Sequence, residues 1–266
     1  LAPDAVLATN TSSLSVTALA KGLRHPERLV GLHFFNPAPV MRLVELIPHA
    51  GTAPDALNKA RHLTESTGKT VIQCADRPGF IVNRCARPFY GEALALLQEG
   101  RSAAEIDAAM TAAGYRLGPF ALIDLIGADI NLAATEGLAA AMDNHPRYHV
   151  FDALRTQVAQ GNLGRKSLKG FIFPQEPAAP PQDAAAIALR IETTLVNEAA
   201  WLLAEGGTPA EGIATALKLG LNFPRGPFEI LRAHGVQTIL QTLAALERSA
   251  PPHLKTRYTP APGLTA

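Results

Sequence analysis

Short apolar runs alternate with helical patterns up to residue 77, and the alternation then stops. Residues 15–23 and 53–67 have helical periodicity, and Gly68 is placed to end the second of these helices. Strands separated by helices predict part of an α/β sheet in residues 1–77. The runs that are apolar enough for buried strands are residues 5–9, 29–35, 43–47 and 70–74.

After Asp-Arg-Pro-Gly at 76–79 the sequence is rich in Ala and Leu and has helical periodicity without a convincing strand. A Pro-rich stretch at 174–181 predicts a semi-rigid linker, and the pattern beyond it is helical again. We therefore predict an α/β part, two helical domains and a linker between them. The predicted boundaries are 1–77 for the α/β part, 78–174 for the first helical domain, 175–183 for the linker and 184–266 for the second helical domain.

The two helical domains resemble each other, and we refer to them as the two copies of a repeat. Glu-Ala-Leu-Ala-Leu-Leu-Gln-Glu-Gly at 92–100 aligns with Glu-Ala-Ala-Trp-Leu-Leu-Ala-Glu-Gly at 198–206, an offset of 106 residues. Each copy continues to Gly-Pro-Phe, at 118–120 and at 226–228, where the offset is 108. Chance similarity of two Ala-rich segments is the alternative to a true repeat.

Matching helix signals support the repeat. Ser102 with Glu105 and Thr208 with Glu211 have the spacing of capping boxes, in which hydroxyl and carboxylate bind each other's backbone N–H groups. Two glycines are predicted to end the helices that follow: Gly114 and Gly220.

Composition excludes several classes of function. The formal net charge is +1, so electrostatics give no basis for binding nucleic acid or an anionic membrane. No run approaches the roughly 20 apolar residues of a membrane helix. Cys74 and Cys85 have no metal-ligand spacing, so no metal site is predicted. Two cysteines in a chain of this length suit a reducing compartment, for which we expect the cytoplasm.

His33 and Glu45 lie in neighbouring predicted strands, 12 residues apart. Because side chains alternate between the faces of a strand, both can point to one side of the sheet. A carboxylate beside an imidazole orients the ring and raises its basicity, which suits a base that accepts a proton from an alcohol. The alternative is a histidine satisfied by the backbone and a solvated glutamate, and the spacing alone does not decide.

Two further polar positions stand at the ends of predicted elements. Ser12 belongs to Asn-Thr-Ser-Ser at 10–13, directly after the first predicted strand, where α/β sheets bind ligands. Asn83 stands in the first turns of a predicted helix, although asparagine is a mediocre helix former. Both residue types are also ordinary helix caps.

Taken in order, four motifs resemble the NAD-dependent L-3-hydroxyacyl-CoA dehydrogenase family, also called 3-hydroxybutyryl-CoA dehydrogenases. The resemblance covers residues 1–174 nearly end to end, and the tandem repeat is similar to long bacterial types that include 3-hydroxyadipyl-CoA dehydrogenases. It implies the remnant of a Rossmann-like α/β domain followed by mainly α-helical C-terminal domains in tandem. The motifs are Asn-Thr-Ser-Ser-Leu at 10–14, Gly-Leu-His-Phe-Phe-Asn-Pro at 31–37, Leu-Val-Glu at 43–45 and Pro-Gly-Phe-Ile-Val-Asn-Arg at 78–84.

The resemblance implies oxidation of (S)-3-hydroxyacyl-CoA to 3-oxoacyl-CoA with NAD, in fatty-acid or phenylacetate-type degradation. His33 is then the general base that removes the 3-hydroxyl proton, and Glu45 is its carboxylate partner. Ser12 and Asn83 are then the residues that bind the substrate oxygens.

The resemblance also implies cofactor contacts from Asn36 and Lys166, near the nicotinamide. The glycine-rich turn that carries the pyrophosphate in this family is absent, since no Gly-x-Gly occurs in the sequence. We therefore expect about 120 further residues upstream. We also expect this chain alone to bind NAD poorly and to be inactive.

At the 106-residue offset, Asn83 of the first copy corresponds to Leu189, so the second copy is predicted to be structural. Single-copy relatives dimerise through this helical domain, which predicts either a homodimer or a pseudo-dimer within one chain. A non-catalytic dimerisation or assembly module is the alternative function. A related enzyme acting on another CoA thioester is a third.

Overall fold

The computed structural model describes residue 2 and residues 4–175 and 178–264. They divide into two compact units. The first unit contains the chain up to Arg84 together with Glu205–Gly226. The second unit contains Cys85–Ala204 together with the chain from Pro227.

Secondary structure follows the predicted alternation in the α/β part and is helical elsewhere. The strands are β1 (Leu7–Thr9), β2 (Leu29–Phe34), β3 (Leu43–Ile47) and β4 (Thr70–Gln73). The α-helices are α1 (Val16–Ala20), α2 (Pro54–Ser66), α3 (Val82–Cys85), α4 (Arg87–Gln98), α5 (Ala103–Ala112), α6 (Pro119–Ile126), α7 (Ala128–Ala141), α8 (Asp152–Ala159), α9 (Ala184–Ala204), α10 (Ala210–Leu221), α11 (Pro227–His234) and α12 (Val236–Ser249).

The strands form one sheet in the first unit, in the order of the chain. β1 and β2 are parallel, β2 and β3 are antiparallel, and β3 and β4 are parallel. All five residues of β3 are buried, because α2 covers one face of the sheet and α1 and α10 pack on the other. Gly31 of β2 is needed on the second face, since a Cβ there would lie 2.9 Å from both Ile47 and Val16.

Helix α10 comes from the second copy of the repeat but packs on the sheet of the first unit. A Cβ on Gly220 would lie 3.1 Å from the side chains of Leu43 and Val82, so the glycine permits close packing. The prediction that Gly220 ends the helix is wrong, because α10 continues past it to Leu221. The helix is capped by Asn222, which has the left-handed φ of 55°.

The two predicted capping boxes have different outcomes. Ser102 and Glu105 form the complete box at the start of α5, as predicted. The box predicted for Thr208 and Glu211 is wrong, because α10 begins after Pro209 without a side-chain cap. Thr208 is instead buried, with its methyl group beside Gly212.

The predicted domain boundaries do not coincide with the compact units, because residues 205–226 join the first unit. The boundaries at 1–77, 78–174 and 184–266 remain a prediction. Within the predicted linker at 175–183, residues 176 and 177 lie outside the described residues. No helix in the described ranges combines the length and the apolar character needed to cross a membrane.

Candidate active site

The predicted pair of His33 and Glu45 is present in the first unit. The two residues are cross-strand partners in the antiparallel ladder of β2 and β3, and His33 Nδ1 lies 2.6 Å from Glu45 Oε2. Glu45 has 0% exposure. An ionised carboxylate only accepts hydrogen bonds, so in this contact the imidazole is the donor, through Nδ1.

Backbone amides stabilise the buried charge on Glu45. Its Oε1 accepts hydrogen bonds from the N–H groups of Ile81, at 3.1 Å, and Val82, at 2.9 Å. With the imidazole, these donors give the carboxylate three hydrogen bonds. A buried carboxylate that is bonded in this way can stay ionised, whereas an unpaired one would be strongly destabilising.

The amides reach Glu45 because of a tight turn before α3. Gly79 and Phe80 both have positive φ, 74° and 46°, and a Cβ on Gly79 would lie 3.0 Å from the backbone nitrogen of Arg84. Positive φ is unfavourable for a bulky residue such as Phe80, and backbone strain of this kind concentrates at functional sites. The rings of Phe80 and Phe35 lie 5.8 and 4.5 Å from the imidazole of His33, centroid to centroid.

The loop after β1 brings Ser12 to Asn83. Asn10 ties this loop to β2, because its Oδ1 accepts a hydrogen bond from the N–H of Phe34 at 2.9 Å. The backbone carbonyl of Ser12 accepts a long hydrogen bond, 3.4 Å, from Asn83 Nδ2. Ser12 and Asn83 therefore contact each other, as do His33 and Glu45. The chain joins the two pairs, since Asn83 directly follows the amides that hold Glu45.

Asp76 anchors the helix that follows this loop. Its carboxylate accepts hydrogen bonds from Ser15 Oγ at 2.8 Å, from Val16 N at 3.0 Å, and from the N–H and hydroxyl of Thr17 at 2.7 and 2.6 Å. Partial burial by itself would raise the pKa of Asp76, but the bonds from Thr17, Ser15 and Val16 outweigh it and hold the pKa below its ordinary value. The fixed start of α1 in turn limits where Ser12 can lie.

We expect Asp76→Asn to lower the free energy of unfolding at pH 7 by about 1–3 kcal/mol, because an amide cannot accept on both sides. The folded-state pKa lies below the value of 3.8 for a free aspartate, so this contribution is full above pH 4 and disappears as the pH falls through the lowered pKa. Urea unfolding of both proteins at pH 7 and pH 3 measures the difference.

Asp152→Asn is the control for this experiment. The Asp152 side chain is exposed at the start of α8, and its substitution should change stability by less than about 1 kcal/mol. A difference between wild type and Asp76→Asn that is equally large at pH 3 and pH 7 would show that the carboxylate charge is not responsible.

The two predicted cofactor residues lie outside this set of contacts. Asn36 is exposed and lies two residues after the end of β2, in the first unit. Lys166 belongs to the second unit, where its Nζ lies 2.5 Å from an oxygen of Asp129 in the first turn of α7. The roles assigned to all six site residues remain predictions.

Sequence reasoning did not assign a role to Asn10, to Asp76 or to the amides of Ile81 and Val82. The side-chain bonds of Asn10 and Asp76 cross 24 and about 60 residues of chain, and backbone amides carry no sequence signal. The positions of Asn10 and Asp76 just after β1 and β4 were the available clue, since polar residues at strand ends often bind adjacent loops.

Two family models match the chain. The 3-hydroxyacyl-CoA dehydrogenase NAD binding domain matches residues 1–77. The 3-hydroxyacyl-CoA dehydrogenase C-terminal domain matches twice, at residues 79–173 and 187–265. The second finding confirms the tandem repeat that the offset of 106 residues predicted.

Curated relatives and solved structures agree with the family models. A 3-hydroxyadipyl-CoA dehydrogenase of Escherichia coli is 47% identical over 167 residues, which are 62% of this chain and 35% of that protein. A fatty acid oxidation complex subunit alpha of Idiomarina loihiensis is 32% identical over 281 residues, covering 97% of this chain and 38% of that protein. The crystal structure of an E. coli 3-hydroxybutyryl-CoA dehydrogenase superposes with a TM-score of 0.87 at 30% identity, covering 98% of this chain and 74% of that one.

The chain thus spans little more than a third of the length of the two curated relatives. Its matches nevertheless extend over both the α/β part and the helical part, in the order that the motifs predicted. On these grounds the chain belongs to the 3-hydroxyacyl-CoA dehydrogenase family, with one match to its NAD binding domain and two matches to its C-terminal domain.

Proposed function

We propose that this site oxidises the 3-hydroxyl group of an (S)-3-hydroxyacyl-CoA to a ketone, in the protein that its gene encodes. The observation that carries the proposal is the hydrogen bond of 2.6 Å between His33 and the fully buried Glu45. It holds the imidazole in one tautomer and leaves Nε2 as the proton acceptor.

His33 Nε2 accepts the proton of the substrate hydroxyl as the hydride leaves C3. The imidazole then becomes positively charged beside the carboxylate of Glu45, which stabilises that charge. The amides of Ile81 and Val82 keep the carboxylate in place throughout, so little reorganisation is needed when the charge develops. A positioned base of this kind accelerates proton transfer by about 10²–10⁴.

We assign the substrate oxygens to Ser12 and Asn83. The Ser12 hydroxyl is exposed in the loop after β1, and the Asn83 carboxamide is half-buried against the backbone of that loop. A hydroxyl and an amide can both donate to the 3-oxygen and the thioester carbonyl. Because Asn83 follows Val82 directly, substrate and base are positioned by one turn of the chain.

NAD, when bound, supplies the acceptor for the hydride. The polar loop after β1 and the exposed Asn36 after β2 lie at the carboxyl ends of two parallel strands, where α/β sheets bind nucleotides. These residues fit the nicotinamide end of the cofactor, and Lys166 remains a further predicted contact. The sequence has no Gly-x-Gly turn to bind the pyrophosphate.

Titration of NADH fluorescence tests the cofactor proposal. With residues 1–266 alone we expect no saturable binding at micromolar concentrations, because the pyrophosphate has no glycine-rich turn to bind. A longer protein in which a glycine-rich strand–turn–helix precedes residue 1 should bind NADH and form it from 3-hydroxyacyl-CoA. If that protein neither binds NADH nor oxidises the substrate, the alternative of a non-catalytic assembly module is favoured.

For the substrate class, we propose acyl-CoA thioesters of fatty-acid or phenylacetate-type degradation in the cytoplasm. The name of the Idiomarina loihiensis relative supports fatty-acid degradation, and the phenylacetate-type route is what the resemblance implies. A chain of this length with two cysteines fits a reducing compartment. Comparing kcat/KM for 3-hydroxybutyryl-CoA and 3-hydroxyadipyl-CoA distinguishes a monocarboxylic from a dicarboxylic substrate.

We also propose that the two copies form a pseudo-dimer, so that the chain is a monomer in solution. Two ion pairs support this proposal: Arg84 of the first copy binds Glu205 of the second, and Arg190 of the second binds Glu99 of the first. Arg190 and Glu205 are the counterparts of Arg84 and Glu99 at the 106-residue offset. Reciprocal contacts are what a two-fold symmetric dimer interface produces.

A second reciprocal set lies inside the second unit. Glu92 of the first copy binds the Arg-Tyr at 257–258 of the second, and its counterpart Glu198 lies against the Arg-Tyr at 147–148 of the first. Tyr258 and Tyr148 donate to the two carboxylates at 2.9 and 2.6 Å. Sedimentation equilibrium should therefore give the mass of one chain, and a dimer that uses the first copy as its interface would contradict the proposal.

A further inference from the structure

Glu205, in the second copy of the repeat, binds two arginines of the first unit. Its carboxylate accepts hydrogen bonds from Arg84 Nη1 and Nη2, at 2.7 and 2.6 Å, and from Arg77 Nη1, at 3.0 Å. Its backbone carbonyl also accepts a hydrogen bond from Arg77 Nη2 at 2.5 Å. The Arg84 side chain is only 1% exposed, so its charge depends on a bound carboxylate rather than on water.

The two arginines stand at the two ends of the turn that builds the proposed active site. Residues 78–83 lie between them, and this segment contains the amides that hold Glu45 as well as the carboxamide of Asn83. The strained φ of Phe80 within the segment requires restraint from the surrounding structure. A single carboxylate therefore fixes both ends of a strained turn.

A second contact supports the same relation. Val82, whose amide binds Glu45, packs closely against Gly220 of α10, in the chain segment that follows Glu205. A Cβ on Gly207 would lie only 2.7 Å from the Cβ of Ala75, two residues before Arg77. Residues 205–220 therefore hold the turn through ion pairs and through packing.

We infer that Glu205 is a positioning residue for the dehydrogenase site, supplied by a copy that lacks the site's own asparagine. The expected loss of rate rests on the proposed function. The expected shift of residues 78–83 rests on the geometry of these contacts alone. Releasing the arginines would let residues 78–83 shift, and the shift would move Val82 from Glu45 and Asn83 from the substrate. Misplacement by about 1 Å can cost about 10²-fold in rate.

Glu99 offers a matched control inside the same chain. It is the counterpart of Glu205 and binds Arg190 in the same two-pronged geometry, at 2.6 and 2.7 Å. The residue before Arg190 is Leu189, not asparagine, so this ion pair has no active-site turn beside it. Glu205→Gln and Glu99→Gln thus remove the same kind of interaction at two places.

Hydrogen exchange and proton NMR give the structural readout. In Glu205→Gln we expect the amides of Ile81 and Val82 to exchange about tenfold faster than in wild type. We also expect the low-field resonance of the His33 Nδ1 proton to move upfield as the hydrogen bond to Glu45 weakens. Glu99→Gln should leave both signals as they are in wild type.

Steady-state kinetics of the encoded protein give the functional readout. We expect kcat of Glu205→Gln to fall about 10- to 100-fold while KM changes much less, and Glu99→Gln to keep the wild-type kcat. Glu205→Asp retains the charge and should recover part of the loss. If Glu205→Gln does not fold, faster exchange of the two amides in Glu205→Asp than in Glu99→Asp takes its place as the expected result.

Unchanged amide exchange and an unchanged His33 resonance in the Glu205 variant would overturn the inference, as would equal changes in the Glu99 variant. These measurements need neither substrate nor cofactor. A wild-type protein without dehydrogenase activity would therefore refute the proposed function, while the role of Glu205 in placing the turn would be judged by exchange and resonance alone.

Discussion

Replacing His33 by glutamine is expected to lower kcat for 3-hydroxyacyl-CoA oxidation by about 10²- to 10⁴-fold, the range that a positioned general base supplies. Glutamine can still donate an N–H to Glu45, so the contact of 2.6 Å has a substitute. It has no group that is basic enough to take the hydroxyl proton. KM should change little, because proton acceptance stabilises the transition state more than the bound substrate.

The measurement is NADH formation by the protein that the gene encodes, with matched thermal unfolding to show that the fold is retained. His62→Gln is the control, since His62 is exposed on α2. It should keep the wild-type kcat. A loss smaller than about tenfold in His33→Gln would remove His33 from the role of general base.

Replacing Glu92 by alanine is expected to lower the free energy of unfolding by about 3–5 kcal/mol, as is typical when one partner of a buried ionic network is removed. Glu92 has 0% exposure and binds Arg190 Nε at 2.7 Å and the Tyr258 hydroxyl at 2.9 Å. It also binds Arg257, which is itself buried. Burial and the Glu92 carboxylate both raise the pKa of Tyr258, so the phenol keeps the proton that it donates.

The alanine variant leaves the buried Tyr258 hydroxyl without its acceptor and the buried Arg257 guanidinium without its carboxylate, although Arg257 still donates to two backbone carbonyls. This loss of a buried counter-charge is the source of the large effect. Denaturant unfolding at pH 7 measures it. Glu136→Ala is the control, because Glu136 and its partner Arg155 are both about half exposed, and it should cost less than about 1 kcal/mol. A similar loss in both variants would show that the buried network adds nothing specific.

Much of the α/β part could be predicted from local pattern. Each strand of the sheet lies within one of the predicted apolar runs. For β3 the predicted and the observed bounds, 43–47, are the same. Strand alternation allowed His33 and Glu45 to share a face without deciding it, and the antiparallel register of the structure makes them direct partners. The face on which a strand side chain lies depends on the two-residue period of the strand, to which each of its residues contributes.

The helix ends of the second copy show where local pattern fails. Gly220 and Thr208 have residue types and spacings that match those of the first copy, yet neither caps a helix. Both are used for packing of α10, Gly220 against Leu43 and Val82 and Thr208 within the helix start. Tertiary packing overrides a cap worth about 1 kcal/mol when it buries apolar surface.

The sequence by itself determined the order of elements, the repeat, and which side chains are able to perform acid–base chemistry. These properties follow from residue types and from short periods along the chain. Only the tertiary structure decided what holds the chemistry in place: the two amides on Glu45, Asp76 at the start of α1, and Glu205 on the arginines that flank the turn. Those bonds join residues from 36 to 128 positions apart, and chain closure over such distances leaves no periodic trace in the sequence.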